Sequence, residues 1–130
     1  MIYGMDDATE GAVPEERVAR MVEVVFPHQT NHYGTLFGGH EMGMMDRAAF
    51  VVASRRARTQ VVTASADEIT FHAPARRGDV VEVVARLIST GRSSMVVRAE
   101  MSREDLASGD RTKIASGRFT MVAVDRDGQS

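Results

Sequence analysis

The stretch that most restricts the fold begins at Gly38-Gly39 and continues for about 17 residues without proline, rich in Met and Ala. That composition and length predict a helix. Before Arg55 its only charged residues are Glu41, Asp46 and Arg47. A helix apolar nearly all round must be covered by other elements rather than laid on a surface. Arg55, Arg56 and Arg58 gather at its end, where cations complement the helix dipole. A chain of 130 residues supports one domain and one core, so the remaining elements have to wrap this helix.

Those elements read as strands. Residues 17–26 carry Val18, Val22, Val24 and Phe26 on one parity, interrupted by Arg20 and ended by Pro27, which predicts a strand with that parity inward. Residues 60–72 are rich in β-branched side chains, and their apolar parity shifts between Ala64 and Ile69. A bulge near residues 66–68 would explain the shift. Residues 79–90 place Val81, Val83, Ala85 and Leu87 on one face, and residues 94–103 place Met95, Val97, Ala99 and Met101 likewise. Residues 106–111 contain Ser108-Gly109-Asp110 and read as a longer hairpin loop, and 113–124 is the last strand. The order is strand, long helix, then four strands joined by short turns. Successive strands imply antiparallel pairing and an α+β class. One sheet curled round one helix leaves a helix face open, so dimerisation at a sheet edge or over the helix is expected. We expect residues 1–13 to be a flexible tail, 14–125 the folded domain and 126–130 a polar tail.

Composition narrows the function. The formal net charge is -2, which argues against a nucleic-acid protein, whose affinity rests on surplus Lys and Arg. The chain has no cysteine, so thiolate nucleophiles, disulfides and Cys-based zinc sites are excluded, and a reducing compartment suits it. No apolar run approaches the roughly 20 residues that span a bilayer. Residues 1–13 hold Asp6, Asp7 and Glu10 without a basic residue, unlike a signal or transit peptide. A cytoplasmic protein without membrane or nucleic-acid partners is expected.

The chemistry concentrates at the start of the helix. A first helical turn leaves backbone N–H groups bare and carries partial positive charge. The glycine pair Gly38-Gly39 lets a ligand oxygen approach those groups, although close packing on a strand would explain the same pair. Asp46 follows Gly39 by seven residues, which returns it near the same face roughly 10 Å further along the axis. It is either a base tuned by burial or a charge neutralised by a cation such as Arg47. An oxyanion site and a general base are the components of a hydrolase. Groups roughly 10 Å apart on one helix cannot serve one bond, so if they act together they meet across a twofold interface.

Other residues carry weaker signals. Asn31 is a turn former or the residue that orients a water or a carbonyl beside Asp46. His28, His32 and His40 share no spacing that faces them together, so no metal site is expected. His72 lies on a strand parity and reads as surface or core edge. The nine methionines suit an adaptable core, or a pocket for a flexible apolar chain. Arg76 and Arg77 precede Gly78-Asp79, while Arg92, Ser93 and Ser94 follow Gly91. Arginines with hydroxyls at turns suit phosphate, and alone they would be solvated turns.

From about Phe26 to Val124 the chain resembles the hotdog-fold acyl-CoA thioesterases of the cytosolic (brain-type) acyl-CoA hydrolase family. The matching blocks run from Thr30 to Gly39, then Met45-Asp46, Val62-Thr63-Ala64-Ser65, Phe71-His72-Ala73-Pro74, Gly78-Asp79-Val80-Val81, and Thr90 to Met95. The resemblance implies a hotdog fold, a five-stranded antiparallel sheet wrapped around one long central helix. It implies a homodimer as the minimum unit, assembled further as a trimer of dimers or a dimer of dimers. It implies metal-free hydrolysis of acyl-CoA, with coenzyme A as part of the substrate and no separate cofactor. By the same resemblance Asp46 is the catalytic acid, Asn31 its partner, and Gly38 and Gly39 the groups that polarise the thioester carbonyl. Arg92, Ser93 and Ser94 fall on the hairpin that contacts CoA, and Arg76 and Arg77 near the nucleotide. His40 and Glu41 depart from a more apolar or aromatic pattern, which bears on acyl preference.

The expected function is therefore an acyl-CoA thioesterase that releases CoA and a carboxylic acid, with Asp46 as general base or nucleophile. Two other classes fit less well. A hotdog enoyl-CoA hydratase or dehydratase would need a His acid/base, with His32 the nearest. A non-catalytic acyl-CoA-binding domain would have no use for Asp46 and usually carries an output domain, for which 130 residues leave no room.

Overall fold

In the computed structural model, residues 17–125 are described. The tails expected at 1–13 and 126–130, and the domain start at Pro14, lie outside them. Five strands and one long helix follow in order: β1 (Val18–Val24), a 3-10 turn (Pro27–Gln29), α1 (Gly38–Ala57), β2 (Gln60–Phe71), β3 (Val80–Thr90), β4 (Ser94–Glu104) and β5 (Arg111–Val124). The strands form one antiparallel sheet in the order β1-β3-β4-β5-β2, wrapped around α1. This is the hotdog architecture that the resemblance implied.

The helix buries Glu41, Met44, Met45, Ala48, Ala49, Val52 and Ala53. That i, i+3, i+4 recurrence is one stripe facing the sheet. Phe119, Met101, Ile114 and Met121 meet it from the strands, fully buried. Each such side chain contributes about 1.5–3 kcal/mol on leaving water. The opposite stripe, with Gly39, Arg47 and Phe50, stays exposed. The helix is therefore not buried all round by its own chain. Arg58 ends it in a left-handed conformation at φ 54, its N–H donating to the Ser54 carbonyl.

Two expectations about the strands need correction. In β1 the inward residues are Ala19 and Met21, with Val25 just beyond the strand, while Val22, Val24 and Phe26 are 62%, 42% and 53% exposed. Both parities of this strand carry apolar residues, so alternation alone selected the wrong side. The second concerns β2, which is not a hairpin neighbour of β3. It pairs with β5 at the far edge of the sheet, and residues 72–79 cross beneath the start of α1. That crossover is pinned at both sides: the N–H groups of His72 and Ala73 donate to the Ile114 carbonyl, and Leu36 N–H to the Ala75 carbonyl.

The expected bulge is present. Register shifts fall between Thr63 and Ser65 and between Asp67 and Thr70. Glu68 takes a left-handed φ of 52 there and reaches Arg98 at 2.7 Å and Arg118 at 3.4 Å. The hydrogen bond from Arg98 holds its carboxyl below the usual carboxylate range. β3 and β4 bury the odd-numbered residues expected.

Candidate active site

The start of α1 has no side-chain cap. Its N-cap is Phe37, which offers no hydrogen-bonding group. His40 and Glu41 N–H groups bond to the Phe37 carbonyl. Those of Gly38 and Gly39 have no partner among the described residues. Leaving a helix start without a side-chain cap costs about 1 kcal/mol. Two bare N–H groups at the positive end of a helix dipole suit an anionic oxygen. The two glycines differ in the room around them. A Cβ on Gly38 would press on the Phe71 ring at 3.4 Å, whereas Gly39 has nothing within 4 Å.

Asp46 lies two turns further along, partly buried. Thr63, on β2, donates its hydroxyl to Oδ1 at 2.6 Å. The second carboxylate oxygen keeps no protein partner among the described residues. Arg47 does not neutralise it, because that guanidinium turns to Glu23 at 3.7 Å. Asp46 is thus a carboxylate held in orientation by one hydroxyl and open on its other oxygen, which is what a base toward water requires. Thr63 was read from sequence only as part of a motif block. Its contact with Asp46 is made by the fold and has no spacing signal.

The buried acid of the helix is Glu41, not Asp46. It is 3% exposed and faces the core, and burial pushes its carboxyl up to about 7. Among the described residues its carboxyl has no hydrogen-bond or ion-pair partner.

Asn31 engages its oxygen and leaves its amide open. Its Oδ1 accepts from Tyr33 N–H at 2.9 Å, Thr35 N–H at 3.2 Å and the Thr35 hydroxyl at 3.1 Å, so it builds the turn. Its amide NH2 has no partner among the described residues and remains a donor. It borders an open cleft of about 370 Å³ with Pro27, His32 and Arg77. The Asn31 loop is tied to the crossover by pairing of Thr35 with Arg76.

The candidate residues fall at two ends of the molecule. Asn31, Gly38, Gly39, Arg76 and Arg77 surround the start of α1. Arg92, Ser93 and Ser94 line a cleft of about 240 Å³ beside Arg56 and Ala57, at the helix end. A helix of 20 residues separates the two groups by about 30 Å, with Asp46 between them. One chain therefore does not bring Arg76 and Arg77 together with Arg92. The histidines are dispersed: His40 contacts Gln29 and Glu23, and His72 contacts Ser116. Among the described residues no group of three His, Asp or Glu side chains gathers as a metal site, and no helix is long and apolar enough to cross a membrane.

The family model for the thioesterase superfamily matches residues 33–109. An uncharacterized acyl-CoA thioester hydrolase of Zymomonas mobilis is 44% identical over 121 residues, covering 93% of this chain and 80% of that protein. The structure of an acyl-CoA hydrolase from Staphylococcus aureus, in complex with butyryl coenzyme A and coenzyme A, superposes with a TM-score of 0.82 at 36% identity, covering 88% of this chain and 70% of that one. Solved variants of that enzyme replace an asparagine, an aspartate and a threonine by alanine, at positions separated by 15 and 17 residues. Asn31, Asp46 and Thr63 have the same separations. A hexameric acyl-CoA thioesterase superposes with a TM-score of 0.85 at 38% identity, covering 90% of this chain and 76% of that one.

Proposed function

The chain belongs to the thioesterase superfamily, and from that premise we propose how its residues act on their substrate. The enzyme hydrolyses acyl-CoA to free CoA and a carboxylic acid. The thioester carbonyl oxygen takes the bare N–H groups of Gly38 and Gly39. Asp46, held by Thr63, removes a proton from water as that water attacks, or attacks the carbonyl itself to give a mixed anhydride. The Asn31 amide donates to the water or the carbonyl. Collapse of the tetrahedral intermediate expels the CoA thiolate, and on the anhydride route water then cleaves the anhydride to release the carboxylic acid and free Asp46. These steps ask for no cofactor and no metal.

The observation that carries this reading is the pairing of an uncapped glycine start with an aspartate oriented by one hydroxyl. The equal separations of Asn31, Asp46 and Thr63 and the three residues replaced in the S. aureus enzyme support it. On one helix the two parts stand roughly 10 Å apart. The site is therefore shared: Asp46 of one protomer faces Gly38 and Gly39 of its partner. That sets the two helices antiparallel, crossing near Met42 and Gly43. The open stripe of α1 suits this. Gly39 and Gly43 lie on it, and a Cβ on Gly43 meets only Arg47 Nη1, at 3.4 Å, so two backbones can come close. The same antiparallel arrangement brings the partner subunit's Arg76 and Arg77 toward the Arg92 hairpin, and so to one CoA.

A trimer of such dimers is supported by the hexameric neighbour. Placement in the cytosolic brain-type branch rests on the six motif blocks, and a cytoplasmic location on the cysteine-free composition. The test is CoA release from acyl-CoAs of two to sixteen carbons by wild type and Asp46→Asn. At least one chain length should turn over, and the variant should fold and lose roughly 10²- to 10⁴-fold in kcat. A variant as active as wild type would remove Asp46 from the chemistry.

A further inference from the structure

The hairpin cleft has a neighbour. A second cleft, of about 210 Å³, is lined by Arg17, Arg56, Leu87 and Thr90, and it shares Arg56 and Thr90 with the cleft at Arg92, Ser93 and Ser94. Arg56 thus stands between two adjoining clefts, one with Arg92 and two serine hydroxyls, the other with Arg17. Arg17 is anchored by donating to the Leu87 carbonyl at 3.5 Å. Arg55, one residue from Arg56, is occupied elsewhere, with the Val18 carbonyl. Arg56 and Arg92 enter no ion pair among the described residues. A helix end attracts cations through its dipole, but that accounts for neither the arginine on β1's flank nor the one on the β3–β4 hairpin.

The spacing fits the shape of a CoA thioester. From Asp46 to Arg56 is ten residues of α1, roughly 15 Å. A pantetheine arm of a dozen or so bonds spans a similar length when extended. Beyond that arm, CoA carries anionic groups in two places, a pyrophosphate and a ribose 3′-phosphate. Two clefts hinged on one arginine match two anions on one nucleotide.

We propose that Arg17 and Arg56 form a seat for the 3′-phosphate of CoA, next to the hairpin cleft that takes the pyrophosphate, and that this seat selects CoA thioesters over thioesters of bare pantetheine or of carrier-bound phosphopantetheine. The proposal rests on the acyl-CoA reading above. Guanidinium forks hold a phosphate dianion through charge-assisted bonds, and the selection comes from leaving those donors unmatched when the phosphate is absent.

The experiment compares a good acyl-CoA substrate with the same acyl group on 3′-dephospho-CoA. In wild type kcat/KM should favour the phosphorylated substrate by roughly ten- to hundredfold, mostly through KM. In Arg17→Ala and Arg56→Ala that ratio should fall to within about threefold, and Arg56→Lys should keep part of it. A wild-type ratio near one, or a ratio kept in both alanine variants, overturns the seat. Calorimetric titration with free CoA and free 3′-dephospho-CoA reads the same ratio without turnover. Absent hydrolysis would then count against the thioesterase reading, while the two affinities still decide the seat.

Discussion

Asp46 and Glu41 stand five residues apart on one helix and meet opposite environments. Sequence singles out Asp46 as the acid with a function; in the structure one of its oxygens takes the Thr63 hydroxyl and the other has no partner among the described residues. Sequence also assigned burial to Asp46, whereas it is Glu41 that points into the core. Which side of an apolar helix faces the sheet is set by the strands, and no residue type along 38–57 records it. Asn31 was legible as a turn former, and its oxygen builds that turn; its amide is left for the role proposed above. The Glu41 carboxyl titrates near 7 when folded, against 4.5 as the ordinary value. The folded state therefore binds more protons between those values, and the associated stability is complete below about 4.5 and is lost as pH rises through about 7. The loss is on the order of 3 kcal/mol at most. Glu41→Gln should abolish it, so the gain in melting temperature of the variant over wild type should grow from pH 5 to pH 8. Parallel melting curves across that range would mean that Glu41 finds a partner on ionising.

The elements themselves were largely legible because their periods are clean. β3 and β4 alternate without error, and the helix has no proline to interrupt it. β1 was misread in its face because Val22, Val24 and Phe26 lie outward while the smaller Ala19 and the Met21 lie inward. The place of β2 in the sheet was not legible either. A strand order is fixed by which edge the crossover reaches, and residues 72–79 carry no mark of their path beneath α1. That crossover matters to the site, since it holds the Asn31 loop and carries Arg76 and Arg77. Arg92 lines the cleft at the helix end, away from Asp46, so the CoA contact proposed for it would be the same in ground and transition state. Arg92→Ala should raise KM for acyl-CoA roughly tenfold or more and leave kcat within a few fold. A fall in kcat at constant KM, read from steady-state CoA release, would mean that the hairpin is not a CoA contact.

For the whole molecule, the chain leaves two surfaces uncovered that a second copy would cover. One is the helix stripe of Gly39, Gly43 and Arg47. The other is β2, an edge strand of 12 residues in which only Val61 is buried. A long open edge is a template for pairing with another chain. Both surfaces adjoin Asp46 and Thr63, so pairing there would bring a partner to Asp46. This part of the site was legible only as a distance: seven residues of helix are too long for one bond and too short for independence. In the proposed dimer each active site takes Asp46 from one protomer and Asn31 from the other. The most direct measurement mixes Asn31→Ala with Asp46→Ala, each inactive, under conditions of subunit exchange. A mixed dimer then holds one site with both residues intact and one with both removed. Random mixing makes about half the dimers mixed, so CoA release should return to roughly a quarter of the wild-type rate per site. No recovery, with exchange confirmed by mass spectrometry, would place Asn31 and Asp46 of each site in one chain and contradict the account.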